Sequence, residues 1–289
     1  MRAFAACIIA CCATAWIGPG TACAQNGSTP LEFHAWARYG NGSWKLVRVL
    51  TETFDKDGRI ESVSTTETKT TLVDVTDNRY TLNVETTVKV AGKRFPSEPK
   101  TVTQGLHGDT LGQTVTTRAG GVGDVVINGR RYRTRIKKIV INGDGMRRSD
   151  TLHFSDQVPP FVLKRETKGT DVEGNVLYDS SVQVMAVNMP FKVLTQIKPS
   201  SFVKTVQRQR NGSSTVAVEI HCADVPGSVV SHSWKELDGA GKVVRRKTLE
   251  LVDYEARTPT KDPTTSSSQR KRVIVKPRLI DRLRARKSR

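Results

Sequence analysis

Residues Val225 to Ala256 read VPGSVVSHSWKELDGAGKVVRRKTLELVDYEA. An apolar pair, Val229 and Val230, opens a short alternating run that ends at Asp238-Gly239-Ala240-Gly241. A second alternating run follows from Val243 to Val252. Two such runs joined by a Gly-rich turn read as a β-hairpin. Residues 158 to 187 repeat the plan around a turn at Asp171 to Gly174. Residues 44 to 75 repeat it around Asp55-Lys56-Asp57-Gly58. Asn128-Gly129 marks a further hairpin, so turns are expected near Gly58, Gly129, Gly174 and Gly241.

The remaining mature chain fits the same scheme. From Arg79 to Val90, Leu82, Val84, Thr86, Val88 and Val90 alternate with Asn83, Glu85, Thr87 and Lys89. That is the pattern of a strand with one wet face. The fold class expected is all-β, an antiparallel meander of repeated hairpins forming a curved sheet or half-barrel. Leu31, Trp36 and Tyr39 are spaced to share a helical face, which allows a short N-terminal helix. Gly120-Gly121-Val122-Gly123 lacks a following Lys-Ser/Thr, so it reads as a flexible loop and not a phosphate cradle. The 37% hydrophobic content is modest and suits one-sided sheets.

Composition also divides the chain. Residues 1 to 24 carry Arg2, an apolar run from Ala3 to Ile17, the breaker Gly18-Pro19-Gly20 and Ala22-Cys23-Ala24. This is the form of a cleaved export signal, and the apolar run is shorter than the roughly 20 residues of a membrane span. A periplasmic or secreted location is therefore expected. A polar leader (25–32) precedes an all-β body (33–256), either whole or in two sub-domains with a boundary near 119–124. A Thr/Pro/Ser-rich linker (257–269) leads to a basic tail (270–289). Four of the five cysteines fall in the signal, so no disulfide is expected within the mature chain, and Cys222 reads as a small buried hydrophobe.

The formal charge is +18, and the tail holds ten Lys or Arg against one acid. A strongly basic exported chain should meet an anionic surface, lipid headgroups or acidic polysaccharide sooner than nucleic acid. Anion contact is expected from Arg131, Arg133, Arg135 and Lys137, which alternate along one strand, and from Arg270, Lys271, Arg272, Arg282, Arg284 and Arg286 in the tail. Leu279, Ile280 and Leu283 could line a short helix there on an anionic surface.

No nucleophile elbow, Walker loop or HExxH motif occurs. His221, Cys222, Asp224 and His232 form the one cluster of metal-ligating or nucleophilic types. Neighbours in a strand point to opposite faces, so His221 and Cys222 cannot pair, and His232 reaches either only if its strand pairs with theirs. Zinc needs three or four convergent ligands. No catalytic residue, metal or cofactor is expected, and the chain reads as a non-enzymatic binding protein.

The signal, the early helix and the long meander resemble the LolA/LolB-like periplasmic lipoprotein-carrier half-barrels. Trp36 to Val49 and Val225 to Tyr254 also resemble segments of exported bacterial proteins with no assigned activity. The half-barrel resemblance implies a curved sheet whose concave apolar face holds a lipid-like ligand. The alternative is a cell-envelope structural or adhesion protein that holds anionic polymer or membrane through its basic surface.

Overall fold

The computed structural model describes residues 31–90 and 92–259. The expected signal, the tail cations and most of the linker lie outside them. A single 3₁₀ turn, Leu31–Phe33, and further turns to Ser43 replace the expected short helix. Fourteen strands follow: β1 (Trp44–Phe54), β2 (Ile60–Val75), β3 (Arg79–Val90), β4 (Lys93–Pro96), β5 (Lys100–Gly105), β6 (Thr114–Ile127) and β7 (Arg130–Gly143). Then come β8 (Met146–Phe154), β9 (Val162–Asp171), β10 (Val176–Val193), β11 (Gln196–Gln209), β12 (Ser214–Cys222), β13 (Val229–Leu237) and β14 (Val243–Glu255).

All fourteen belong to one antiparallel sheet in the order β4-β3-β2-β1-β14-β13-β12-β11-β10-β9-β8-β7-β6. β5 lies beside β4 on the outer side of β3, pairing with Arg79 to Val84 while β4 takes Thr87 to Val90. The chain therefore builds one arm outward from β1, crosses to β6, and meanders back until β14 pairs with β1.

The repeated hairpins share one turn. In each, an Asp opens a five-residue loop: Asp55 to Arg59, Asp171 to Asn175, Asp238 to Lys242. Its N–H donates to the carbonyl of the fifth residue, and the fourth-position Gly N–H donates back to its carbonyl at 3.0–3.1 Å. The Asp carboxylate also accepts the fifth residue's N–H, at 2.8 Å, 2.8 Å and 2.9 Å. The Gly takes φ of 80–88°, which a side chain would strain. This is a turn closed by a one-residue bulge, and the register shifts next to each of the three loops.

The sheet curls. Val125 and Ile127 of β6 share a core cluster with Val184 of β10 and Val203 of β11. In a flat sheet β6 and β10 would be about 19 Å apart, four spacings of about 4.8 Å. The segment Leu31 to Gly40 is packed between the arms. Phe33 sits against Phe154 and Phe161, while Trp36 and Ala37 pack with Leu72, Tyr80 and Leu82. It is pinned where Gly227 N–H donates to Ala35 O at 2.8 Å and Tyr39 Oη–H to Ala223 O at 2.5 Å. Arg148 of β8 donates to the carbonyl of His107, in the β5–β6 loop, at 2.6 Å.

Two expectations are corrected. Residues 119–124 are neither a loop nor a sub-domain boundary, because they run inside β6 with a bulge between Ala119 and Gly121. A Cβ on Gly120 would lie 2.8 Å from Ile136 Cγ2, so close strand approach requires the glycine. The described residues form one compact unit. Arg257, assigned to the linker by composition, is bound to the body: its N–H donates to Ser43 Oγ at 2.9 Å.

Candidate functional site

A cavity of about 310 Å³ opens on the face of the sheet covered by Phe33 to Arg38. β8 to β13 supply most of its wall because alternate residues of paired strands align on one face: Thr167, Ser180, Gln207 and Thr215 in one row, Arg165, Val182, Thr205, Ala217 and Trp234 in the next. Pro159, Pro160 and Phe161 close one side. The wall is mixed, with apolar surface from Phe33, Phe161, Val182, Val203 and Trp234 and cations from Arg38, Arg148 and Arg165.

At one end, the fully buried Asp150 accepts from Arg165 Nη2 at 2.7 Å, Thr167 Oγ1 at 2.6 Å and Arg148 Nε at 3.2 Å. Arg148 and Arg165 thus meet at this one carboxylate. Lys137 is buried, and its Nζ has no hydrogen-bond partner among the described residues. Burial pushes its ammonium down to about 8. His107 is pushed down to about 4, first by burial and then by the nearby cations Lys137 and Arg165.

At the other end, Glu219 and His221 stand two apart on β12 and share a face. Glu219 Oε2 lies 2.8 Å from His221 Nε2 and Oε1 lies 2.8 Å from His232 Nδ1 on β13, directly across the ladder. Burial alone would raise the Glu219 carboxyl, but the two histidines overcome it and hold the carboxyl below its usual range. Ser228, in the β12–β13 loop, places Oγ 2.9 Å from His221 Nδ1. Lys45 stands near Glu219, its ammonium pushed down to about 8 by burial against the pull of that carboxylate.

Of the cations expected on one strand face, Arg131, Arg133 and Arg135 are exposed but Lys137 is buried. Burial changes sides along β7: Tyr132 and Thr134 are covered in its first half, and Lys137, Ile139 and Ile141 in its second. The first half packs on residues of β9 to β11 and the second on β8, β9 and Phe33, so the four cations do not form one wet row. Arg131 lies 3.5 Å from Asp124 and Arg135 2.9 Å from Asp156. The tail cations Arg270, Lys271, Arg272, Arg282, Arg284 and Arg286 lie outside the described residues.

In the His/Cys cluster, His221 turns to Glu219 while Cys222 joins a separate core with Val193, Val225 and Val230. Burial pushes the Cys222 thiol up, as for an inert sulfur. Among the described residues no three His, Cys, Asp or Glu converge as metal ligands. Glu219, Ser228, Arg148 and Arg165 were missed in the sequence. The Glu-x-His spacing on one strand face was the one signal that could have raised Glu219.

No family model matches the chain, and no curated protein matches it. Among solved structures, a monomeric dehydratase domain from a trans-AT polyketide synthase split module is 8% identical over 74% of this chain and 82% of its own, with a TM-score of 0.14. A protein described as a candidate thioesterase II from Thermobifida fusca YX is 12% identical over 72% of this chain and 80% of its own, with a TM-score of 0.13. Likenesses at such scores carry no argument about fold or activity.

Proposed function

We propose that the protein is an exported carrier or sensor that holds a small lipid-like ligand between the curled sheet and the Phe33–Arg38 segment. The supporting observation is the cavity of about 310 Å³ with apolar and cationic walls. That volume is at the low end for small-molecule sites, which are about 300–1,000 Å³. It suits one short chain, and the arginine-rich end suits a carboxylate or other anionic head.

Titration calorimetry with decanoate tests this. One site per chain is expected. Ala217→Leu, which adds side-chain volume to the wall, should weaken binding about tenfold or more, equivalent to about 1.4 kcal/mol. Absence of binding, or equal binding by Ala217→Leu, refutes the reading. A second reading, adhesion to anionic polymer, is supported by the exposed cations Arg118, Lys138 and Arg147 on neighbouring strands. It requires binding to a polyanion such as heparin that weakens steeply with salt.

A further inference from the structure

The group at the Ser228 end has more order than a ligand wall requires. Glu219 is fully buried and ionised, so it accepts hydrogen bonds. The His221 nitrogen facing it, Nε2, must then carry the hydrogen. In the neutral ring, Nδ1 then keeps its lone pair towards the Ser228 hydroxyl, 2.9 Å away. This is the tautomer of a general base poised on a serine. The tautomer is assigned by the network of partners. The roles match those of a Ser-His-acid triad, with the two ring nitrogens exchanged.

Three further features point the same way. Ser228 has φ +57°, a strained conformation for a side chain, and such strain collects at functional sites. Ser228 and His221 both line the cavity, which puts the pair beside a space a substrate can enter. Arg38 lines that cavity too, held where its Nη2–H donates to Ala223 O, and its buried Nε has no acceptor among the described residues. The backbone N–H groups of Gly227, Ser228 and Val229 already donate to Ala35, Val225 and Gly227 carbonyls. A developing oxyanion would therefore have no pair of free backbone amides there, and Arg38 is a cation that shares the cavity wall with Ser228.

We propose that Ser228, His221 and Glu219 form an acyl-transfer site that hydrolyses esters of short apolar carboxylic acids. The proposal rests on the cavity as the place where the acyl chain lies. Ser228 Oγ bonds to the acyl carbon while its proton passes to His221 Nδ1. The tetrahedral intermediate collapses by breaking the bond to the alcohol oxygen, and the alcohol leaves with the proton from His221. Water, deprotonated by the same nitrogen, then attacks the acyl-serine. The acid leaves, and Ser228 recovers its proton. Glu219 holds the imidazole and offsets the charge it gains, with His232 Nδ1 2.8 Å from its other oxygen.

The test uses the full chain with a fluorophosphonate probe, mapped by mass spectrometry, and with p-nitrophenyl butyrate as substrate. One probe on the peptide containing Ser228 is expected. Turnover should fall about 100-fold or more in Ser228→Gly and in His221→Gln, in line with the loss of a general base. Ser228→Gly also removes the strain at φ +57°, so its melting temperature should match or exceed that of the wild type. Decanoate binding to the wild-type chain, measured alongside, separates failure of the chemistry from failure of the ligand site. No label, a label at another residue, or turnover that survives Ser228→Gly overturns the proposal.

Discussion

His34 should make the fold acid-sensitive at a pH where its carboxylates remain ionised. The ring is buried, and Nδ1 accepts the N–H groups of Trp36 and Ala37 at 3.2 Å and 3.0 Å. Nδ1 therefore cannot hold a proton without losing both. Burial, aided by the charges of His107 and Arg38, pushes the imidazole from 6.5 down to about 3. Below pH 6.5 the unfolded chain gains a proton at this ring and the folded chain does not. Stability is complete above 6.5 and falls as pH drops towards 3, by about 1.4 kcal/mol per pH unit. Between about pH 7.5 and pH 5 this one ring should cost about 2 kcal/mol, set against a typical total of about 5–15 kcal/mol. His107 acts in the same direction. Urea unfolding at both pH values measures the loss. His34→Asn keeps an acceptor near the place of Nδ1 and cannot titrate, so its loss over the same interval should be smaller by about 2 kcal/mol. The variant also lacks the ring 4.8 Å from Tyr80 and will be less stable at both pH values, which leaves the difference between them unaffected. An unchanged difference refutes the reasoning.

Two other outcomes test the fold. Gly120→Ala should cost about 1–3 kcal/mol by overpacking against Ile136, and much of that cost should vanish in an Ile136→Ala background, as a double-mutant cycle in urea would read. Gly121→Ala meets no atom within 4 Å but sits at φ +93°, so Ile136→Ala should not rescue it. Asp238→Ala removes the acceptor for Ala240 and Lys242 N–H and should cost about 1 kcal/mol of stability, measured by urea unfolding.

The hairpins were legible because each turn is written locally. The Asp accepts the loop's own N–H groups and the Gly supplies the positive φ, so four or five residues suffice to place the turn. Gly120 to Gly123 misled for the same reason: glycine also serves close packing, and its neighbour Ile136 comes from the next strand. Lys137 misled because alternation names two faces but not which is covered, and along β7 the covered face changes. The candidate site was less legible still. His221 and His232 were raised but Glu219 was missed, although it stands two residues from His221; Lys45 and Ser228 reach it and His221 only through strand pairing and loop closure. Arg38 comes from a segment that meets the β12–β13 loop only once the sheet has curled around it.

The pairing of β1 with β14 makes the sheet a zip whose last teeth are far apart in the chain. Arg48 stands opposite Glu250, 202 residues away. The β1–β5 arm and the β6–β14 meander can each assemble from near neighbours, but until β14 arrives each presents, besides its outer edge, one bare edge that the finished sheet covers. Such edges are templates for pairing with other chains, and closing so long a loop is slow compared with forming hairpins. A ribosome or a translocation channel delivers β14 after every other described strand. The hazard for this protein is therefore concentrated in one interval, when both half-sheets exist and the seam between them is still open.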